Sequence, residues 1–297
     1  MLKIKNKLSI ILCFVIVFTA LSGSFSALTI DASAADSTEA LFKGASPIDG
    51  NLSKWLLDEE NGYIYVISDN KLLKFFDLKT LALKKEIEFT YISDIDLYNG
   101  KLFAALEWDG EVAVINTETA AVEKKIKVAK NPHKMALMDN KIFYVPRYYK
   151  GSEGAIVDYS KVYVHNLADS KEAAAMSMTS IPGYEDYSEN VEITDLAADM
   201  GSNRLFVSAR NVHFNKSYLF SISAKDYKVM DNGKQWGFDG YQLGMFVNDK
   251  DIFFGSYRLD KEDLSKFYGN YEGNVAFAKG DYVFSNAGLF DRESFIP

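Results

Sequence analysis

The sequence predicts an all-β protein, a β-propeller of four-stranded blades. Three observations predict it: a turn pair that recurs before a short apolar run, strands that grade from apolar to charged within each repeat, and many large aromatic residues. Six segments carry the turn and run. They are Asn61-Gly62-Tyr63-Ile64-Tyr65-Val66, Asn99-Gly100-Lys101-Leu102-Phe103-Ala104 and Asp139-Asn140-Lys141-Ile142-Phe143-Tyr144, then Ser202-Asn203-Arg204-Leu205-Phe206-Val207, Asp249-Lys250-Asp251-Ile252-Phe253-Phe254 and Lys279-Gly280-Asp281-Tyr282-Val283-Phe284. The second turn residues stand at 62, 100, 140, 203, 250 and 280, giving steps of 38, 40, 63, 47 and 30. The first two steps set the unit, and the longer ones read as that unit plus loop insertions.

Each element of the unit has a physical reason. Asn-Gly readily takes the positive φ angles of a two-residue hairpin turn, so each turn joins two antiparallel strands. The strand before the turn is apolar in one register: Trp55-Leu56-Leu57, Ile95-Asp96-Leu97, Met135-Ala136-Leu137 and Leu196-Ala197-Ala198. A third strand alternates, as in Leu72 to Asp77 and Glu111 to Asn116, and a fourth is charged, as in Leu83 to Phe89 and Val122 to Val128. Inner strands pressed between neighbouring blades must be apolar, whereas the outer strand meets solvent, where Lys and Glu discourage edge pairing. The 18 Tyr and 21 Phe supply bulky filler for the wedge-shaped gaps between blades. A β-sandwich does not normally repeat a four-strand unit with the same turn in the same place.

Closure is the weak point of the pattern. The fifth repeat lacks a recognisable third and fourth strand between Tyr257 and Asn274, and the sixth supplies two strands and the start of a third. Six repeats thus read as an irregular propeller or an incomplete ring of seven, with residues from about Thr38 to Ile48 available to complete the last blade.

The first residues read as an export signal. Lys3, Lys5 and Lys7 precede an apolar run from Leu8 to Leu21, and Ala32-Ser33-Ala34 fits the small-x-small pattern before a cleaved bond. The run is short for a span of about 20 residues. The expected organisation is a signal peptide over 1–34, a leader over 35–45 and a propeller over 46–297, secreted or retained at the cell surface once cleaved, with no membrane span left. Loss of the signal takes the formal net charge from −8 to −10 and removes Cys13, the single cysteine, leaving neither disulfides nor thiol chemistry. A net-acidic chain without a run of basic and aromatic residues is a poor match for nucleic acid.

Residues 111–145 (EVAVINTETAAVEKKIKVAKNPHKMALMDNKIFYV) resemble the repeat of the YVTN-type β-propellers of bacterial and archaeal surface proteins. The likeness lies in a V-I-N-T-x-T turn, then K-I-x-V, P-H-x-x-A and a Y-V strand. It is good over about 55–145 and fades towards the C-terminus, and Tyr144-Val145-Pro146 departs from the family's T-N ending. The resemblance implies an exported or surface propeller, commonly of seven blades, and no single activity.

Motifs for chemistry are missing. The sequence has no G-x-S-x-G elbow, P-loop, G-x-G-x-x-G or calcium loop. His133, His165 and His213 lack metal-ligand spacing and read as structural or surface histidines. Asp94 and Asp96 point to opposite faces of one strand and make no acid–base pair, and Asp58-Glu59-Glu60 reads as a solvated turn. Neither a metal nor a cofactor is expected. What remains is position: the residues leading into the inner strands are Lys54, Trp55, Ser93, Asp94, His133, Lys134, Thr194, Asp195, Tyr241 and Gln242. Converging on one rim, they suit a polar ligand through stacking and hydrogen bonds. Two loops exceed what the repeat needs, Tyr148 to Asp158 and Ile181 to Glu189, the second acidic and rich in tyrosine. The expected function is a non-enzymatic binding module for a glycan, wall polymer or protein. The alternatives are a propeller enzyme (lyase, hydrolase or quinone-dependent dehydrogenase) and an architectural spacer.

Overall fold

The computed structural model describes residues 50–147, 160–178, 181, 191–211, 216–231, 238–239, 244–285 and 287–296. The signal and leader segments, the loops 148–158 and 182–189, His213, Tyr241 and Gln242 lie outside the described residues.

The fold is a six-bladed β-propeller of antiparallel sheets. Blade 1 is β1 (Leu52–Asp58), β2 (Tyr63–Ser68), β3 (Leu72–Asp77) and β4 (Leu83–Glu88); blade 2 is β5 (Asp94–Tyr98), β6 (Lys101–Leu106), β7 (Glu111–Asn116) and β8 (Val122–Lys127). Blade 3 follows as β9 (Pro132–Met138), β10 (Lys141–Pro146), β11 (Lys161–Asn166) and β12 (Glu172–Ser177). Blade 4 is β13 (Val191–Asp199), β14 (Arg204–Asn211), β15 (Lys216–Ser223) and β16 (Val229–Asp231), with β17 (Phe238–Asp239) also paired to β15. Blade 5 is β18 (Met245–Val247), β19 (Asp251–Phe254), β20 (Tyr257–Asp260) and β21 (Phe267–Asn270); blade 6 is β22 (Val275–Lys279), β23 (Tyr282–Ser285) and β24 (Gly288–Asp291).

Two sequence expectations are corrected here. Blade 5 does have its third and fourth strands, four residues each; they were illegible because β20 follows a tight Gly255-Ser256 turn and β21 (FYGN) lacks β-branched residues. Blade 6 completes its third strand, and Asp291 N then donates to Ile296 O at 2.9 Å, the hairpin bond that opens the fourth strand elsewhere.

The chain forms two compact units, residues up to 104 with 113–124, and 105–112 with 125–297. Blade 1 belongs to the first, blades 3 to 6 to the second, and blade 2 contributes residues to both. In the first unit β1 lies beside β5; in the second, β9, β13, β18 and β22 are neighbours in succession.

Strand alternation explains the packing of the second unit. Leu205 and Val207 of β14 share a core with Phe143 and Val145 of blade 3, while Phe206 between them packs with Ile252 and Phe254 of blade 5. On β19 the same switch turns Phe253 away, towards Tyr271 of the following linker and Val283 and Phe290 of blade 6. Successive side chains of a strand point to opposite faces, so a central strand serves two interfaces and must be apolar throughout.

A second repeated device sits between third and fourth strands. Asp77, Asn116, Asn166, Ser223, Asp260 and Asp291 each accept, on one side-chain oxygen, backbone N–H groups two or three residues ahead, such as Thr80 N on Asp77 at 2.8 Å and Ser294 N on Asp291 at 2.9 Å. This side-chain turn marks all six blades. Five of these turns are followed by a positive-φ residue: Leu81, Ala120, Ser170, Tyr227 and Phe295.

The first hairpins behave as expected at Asn99-Gly100 and Asp139-Asn140, where all four residues take φ between 49° and 69°. The hairpin after Asp58 is different. It spans four residues, and Asp58 is buried, accepting hydrogen bonds from Tyr65 Oη at 2.7 Å and Asn61 N at 3.0 Å. The expected solvated turn is therefore confined to Glu59 and Glu60, and Asp58 is a buried anchor.

Neighbouring blades of the second unit are fastened at this same end. Lys141 donates to Ala224 O at 3.0 Å, and Arg204, at the equivalent position in blade 4, donates to Lys261 O at 3.0 Å and pairs with Glu262 at 2.9 Å. Lys261 in turn pairs with Asp199 at 2.8 Å. Burial works to raise the Asp199 pKa, but hydrogen bonds from Lys261 and Ser202 outweigh it and hold the carboxyl below the ordinary range. A depressed folded-state pKa contributes stability above the unfolded value of about 4, which is lost as pH falls through the folded value. Lys261→Met is therefore expected to lower the urea midpoint at pH 7, and its deficit relative to the native chain should shrink below about pH 4. A deficit constant across that range would assign the loss to packing of the lysine stem.

Candidate functional site

At the opposite end of blades 1, 2 and 5, the turn between second and third strands carries the chain leading into the next blade. Ile92 N donates to Asn70 O at 2.7 Å, Val128 N to Gly110 O at 3.2 Å and Val275 N to Gly255 O at 2.8 Å. The leading ends of the inner strands are thereby held against the preceding blade's turn. These ends are also bulged. The pairing register slips between Leu52 and Lys54, beside His133, between Ile193 and Asp195 and between Val275 and Phe277. A bulge re-aims one side chain and ends regular pairing, and the re-aimed residues are Ser53, His133, Thr194 and Ala276.

In the first unit, Lys54 Nζ lies 2.7 Å from Asp94 Oδ1. Asp94 is fully buried and Ser93 nearly so, so both are withdrawn from solvent, and the Lys54–Asp94 pair ties β5 to β1. Trp55 pairs with Val66 and packs against the blade 1 core of Ile64, Val66, Phe76 and Leu81. These expected rim residues are largely architectural.

The second unit holds a more open group. His133 Nδ1 lies 2.8 Å from Glu107 Oε2, and Arg147 Nη1 lies 3.8 Å from Glu107 Oε1. Glu107 is fully buried, whereas Arg147 is 42% exposed. An ionised carboxylate only accepts, so the proton of a neutral His133 sits on Nδ1 and its Nε2 remains an acceptor. Trp108, next in the turn, is 57% exposed. Gly110, at φ +64°, allows the turn to close on the linker: a Cβ there would meet Asn131 Oδ1 at 3.2 Å and Lys127 Nζ at 3.3 Å.

The linker itself is pinned by a second buried group. Tyr144 Oη donates to Glu172 Oε1, and the Glu172 carboxylate accepts Ala129 N at 2.9 Å, while Lys130 N donates to Tyr144 Oη at 3.3 Å. Burial, reinforced by Glu172, pushes the Tyr144 hydroxyl pKa well up, so it stays a donor. His165, read from the sequence as a structural or surface histidine, lies buried on β11, 3.5 Å from Glu172.

Thr194 Oγ1 and Ser208 Oγ are 2.8 Å apart, and Asp195 accepts Leu196 N at 3.0 Å and, from the next blade, Met245 N at 3.2 Å. Sequence reasoning missed Glu107, Trp108 and Arg147. The signal available was a tryptophan inside a polar turn, Glu107-Trp108-Asp109-Gly110. Among the described residues, no three His, Cys, Asp or Glu side chains are grouped to hold a metal ion. Nor is any helix among them long and apolar enough to cross a membrane.

No protein-family model matches this chain, and no curated protein does. Solved structures do match. The β-propeller domain of Myceliophteria thermophila Cps50 (Swd1) superposes with a TM-score of 0.55 at 9% identity, covering 80% of each chain. Kuenenia stuttgartiensis hydrazine synthase gives a TM-score of 0.50 at 12% identity, over 80% of this chain and 75% of that one. At such identities the likeness establishes the propeller fold and leaves the activity to be argued from the site.

Proposed function

We propose that this chain is an exported, non-enzymatic recognition module that binds a macromolecular ligand at the leading end of blade 3. The observation that carries the reading is an exposed Trp108 beside an organised ion group, Glu107, His133 and Arg147. An aromatic anchor flanked by oriented polar groups is the composition of a binding hot spot. Propeller neighbours among solved structures favour an interaction role by analogy. Export is supported by the basic start, the apolar run and Ala32-Ser33-Ala34, and by the likeness of residues 111–145 to YVTN-type surface propellers.

The test has two arms. N-terminal sequencing of the protein recovered from its host's medium or surface is expected to begin at Ala35; an intact Met1 would remove export from the reading. A panel of peptides, glycans and wall polymers should yield a ligand whose binding falls at least about tenfold in Trp108→Ala, a loss of about 1.4 kcal/mol, with thermal midpoint unchanged. A ligand bound equally well by Trp108→Ala and His133→Ala would place recognition elsewhere.

A further inference from the structure

Two positions of the repeat change character in blade 3. Four residues past the second turn residue, the other five blades have Val66, Ala104, Val207, Phe254 and Phe284, whereas blade 3 has Tyr144. Six residues past the side-chain turn, blades 1, 2 and 4 have Leu83, Val122 and Val229, whereas blade 3 has Glu172. The two replacements meet: Tyr144, fully buried, donates its hydroxyl to Glu172. Burying polar groups where the repeat has apolar ones costs stability unless they are hydrogen-bonded. What they bond is the linker from blade 2. Glu172 accepts Ala129 N on both carboxylate oxygens at 2.9 Å, and Tyr144 Oη accepts Lys130 N at 3.3 Å. The Tyr163 ring stacks on that of Tyr144 at 5.6 Å, which holds the phenol in place.

The middle of the linker is thus held by blade 3, and its two ends hold the turn that carries Trp108. Val128 N donates to Gly110 O at 3.2 Å and Lys127 Nζ to Asp109 O at 2.7 Å, while His133 Nδ1 lies 2.8 Å from Glu107 Oε2. A Cβ at Gly110 would meet Asn131 Oδ1 at 3.2 Å, so linker and turn are packed closely there as well. From Glu172 to the turn, the path is two hydrogen bonds and the peptide bond between Val128 and Ala129. All of these residues belong to the second unit.

We infer that Glu172 and Tyr144 are positioning residues, a latch on β12 and β10 that sets where the Trp108 turn stands. The effect on binding rests on the recognition reading above; the coupling of latch to turn does not. Hydrogen bonds to an ionised carboxylate are roughly twice as strong as neutral ones, which suits a group that must hold backbone from a distance. A turn ordered before the ligand arrives also spares the entropy of ordering it on binding. A purely local role would end at Ala129, whose amide would open alone. Coupling requires a response from Val128, whose amide bonds Gly110, and from Trp108, two residues before Gly110.

Native-state hydrogen exchange reads the linker. Acrylamide quenching reads the turn, in a Trp55→Phe/Trp236→Phe background that leaves Trp108 as the remaining tryptophan. In Glu172→Ala the amides of both Ala129 and Val128 should exchange at least about tenfold faster, and the quenching constant of Trp108 should rise about twofold. Glu172→Gln, which keeps an acceptor for Ala129, should bring the Val128 rate back to within about threefold of native. Tyr144→Phe keeps the ring in the core and should shift both readouts in the same direction as Glu172→Ala, which covers the case of poor folding in the alanine variant. Asp291→Ala, which removes the turn cap of blade 6, controls for general loss of stability and should leave both readouts at native values. Equal acceleration of Val128 in Asp291→Ala would assign the effect to general destabilisation and overturn the inference. So would faster exchange at Ala129 with Val128 and Trp108 unchanged, since Glu172 would then be a local clamp. Native affinity in Glu172→Ala for a ligand that depends on Trp108 would overturn the positioning role and leave the recognition reading intact. If Val128 and Trp108 respond but no ligand of the panel depends on Trp108, the latch is supported and the recognition reading fails.

Discussion

Asp251→Ala is expected to cost about 3–5 kcal/mol and to lower the thermal midpoint by roughly 10 °C, the largest effect expected of a single polar replacement among the described residues. Asp251 opens β19 and is nearly fully buried, with one oxygen, Oδ2, accepting Arg258 Nε and Arg292 Nε, each at 2.9 Å. The two guanidiniums reach it from different blades. Arg292 also donates to Gly280 O at 3.1 Å, and Arg258 to Arg292 O at 2.8 Å and Glu293 Oε1 at 2.9 Å. Both cations are thus held by contacts that persist without the aspartate, so its removal leaves two largely desolvated guanidiniums side by side with only the exposed Glu293 as counter-charge. Burial alone would lower the Arg258 pKa, but Glu293 and Asp251 more than reverse this. A double-mutant cycle provides the check: Arg292→Ala should cost clearly less in the Asp251→Ala background than in the native chain. Additive losses would show that the three groups do not act as one network.

The architecture was legible wherever the chain used strong local chemistry. Asn99-Gly100 and Asp139-Asn140 announced hairpins because few other residues take positive φ twice in succession. Blade 5 escaped because its strands are three or four residues long and β21 contains Gly269, at φ +156°, where a Cβ would come within 2.7 Å of the Phe295 ring. Its marker was present all the same: Asp260 caps a turn through Glu262 N and Asp263 N, as Asp77 does in blade 1. Side-chain turns of this kind require only an Asp, Asn or Ser at the strand end, which makes them faint in a polar sequence but regular in space.

The candidate site was legible in outline only. Strand register placed His133, Lys134, Thr194 and Asp195 at the leading ends, where the structure also has them. The same register put Asp94 among ligand-facing residues, although Lys54 reaches across from β1 and closes over it. Register specifies position along a strand, not which neighbour arrives there. Glu107 was hidden for the same reason, since its partner His133 lies 26 residues away and meets it only through packing of the turn on the linker.

That buried carboxylate yields the sharpest separation of function from stability. Glu107→Leu is expected to change unfolding free energy by no more than about 1 kcal/mol, because an apolar replacement recovers the desolvation that a buried charge costs and leaves His133 and Arg147 able to reach water. His133 and Arg147 are 27% and 42% exposed at their side chains, so neither is stranded. Binding should respond differently. Without Glu107, His133 loses its Nδ1 partner and Arg147 its Coulombic restraint, so the groups facing the ligand must be ordered at the expense of side-chain entropy, about 0.5–1.5 kcal/mol each. Affinity for a ligand whose binding depends on Trp108 is expected to fall roughly tenfold while urea midpoint and m-value stay in place. A fall in stability of several kcal/mol in Glu107→Leu would instead make the carboxylate a structural ion pair. Ligand affinity unchanged in the variant would mean that His133, Arg147 and Trp108 are placed without the carboxylate.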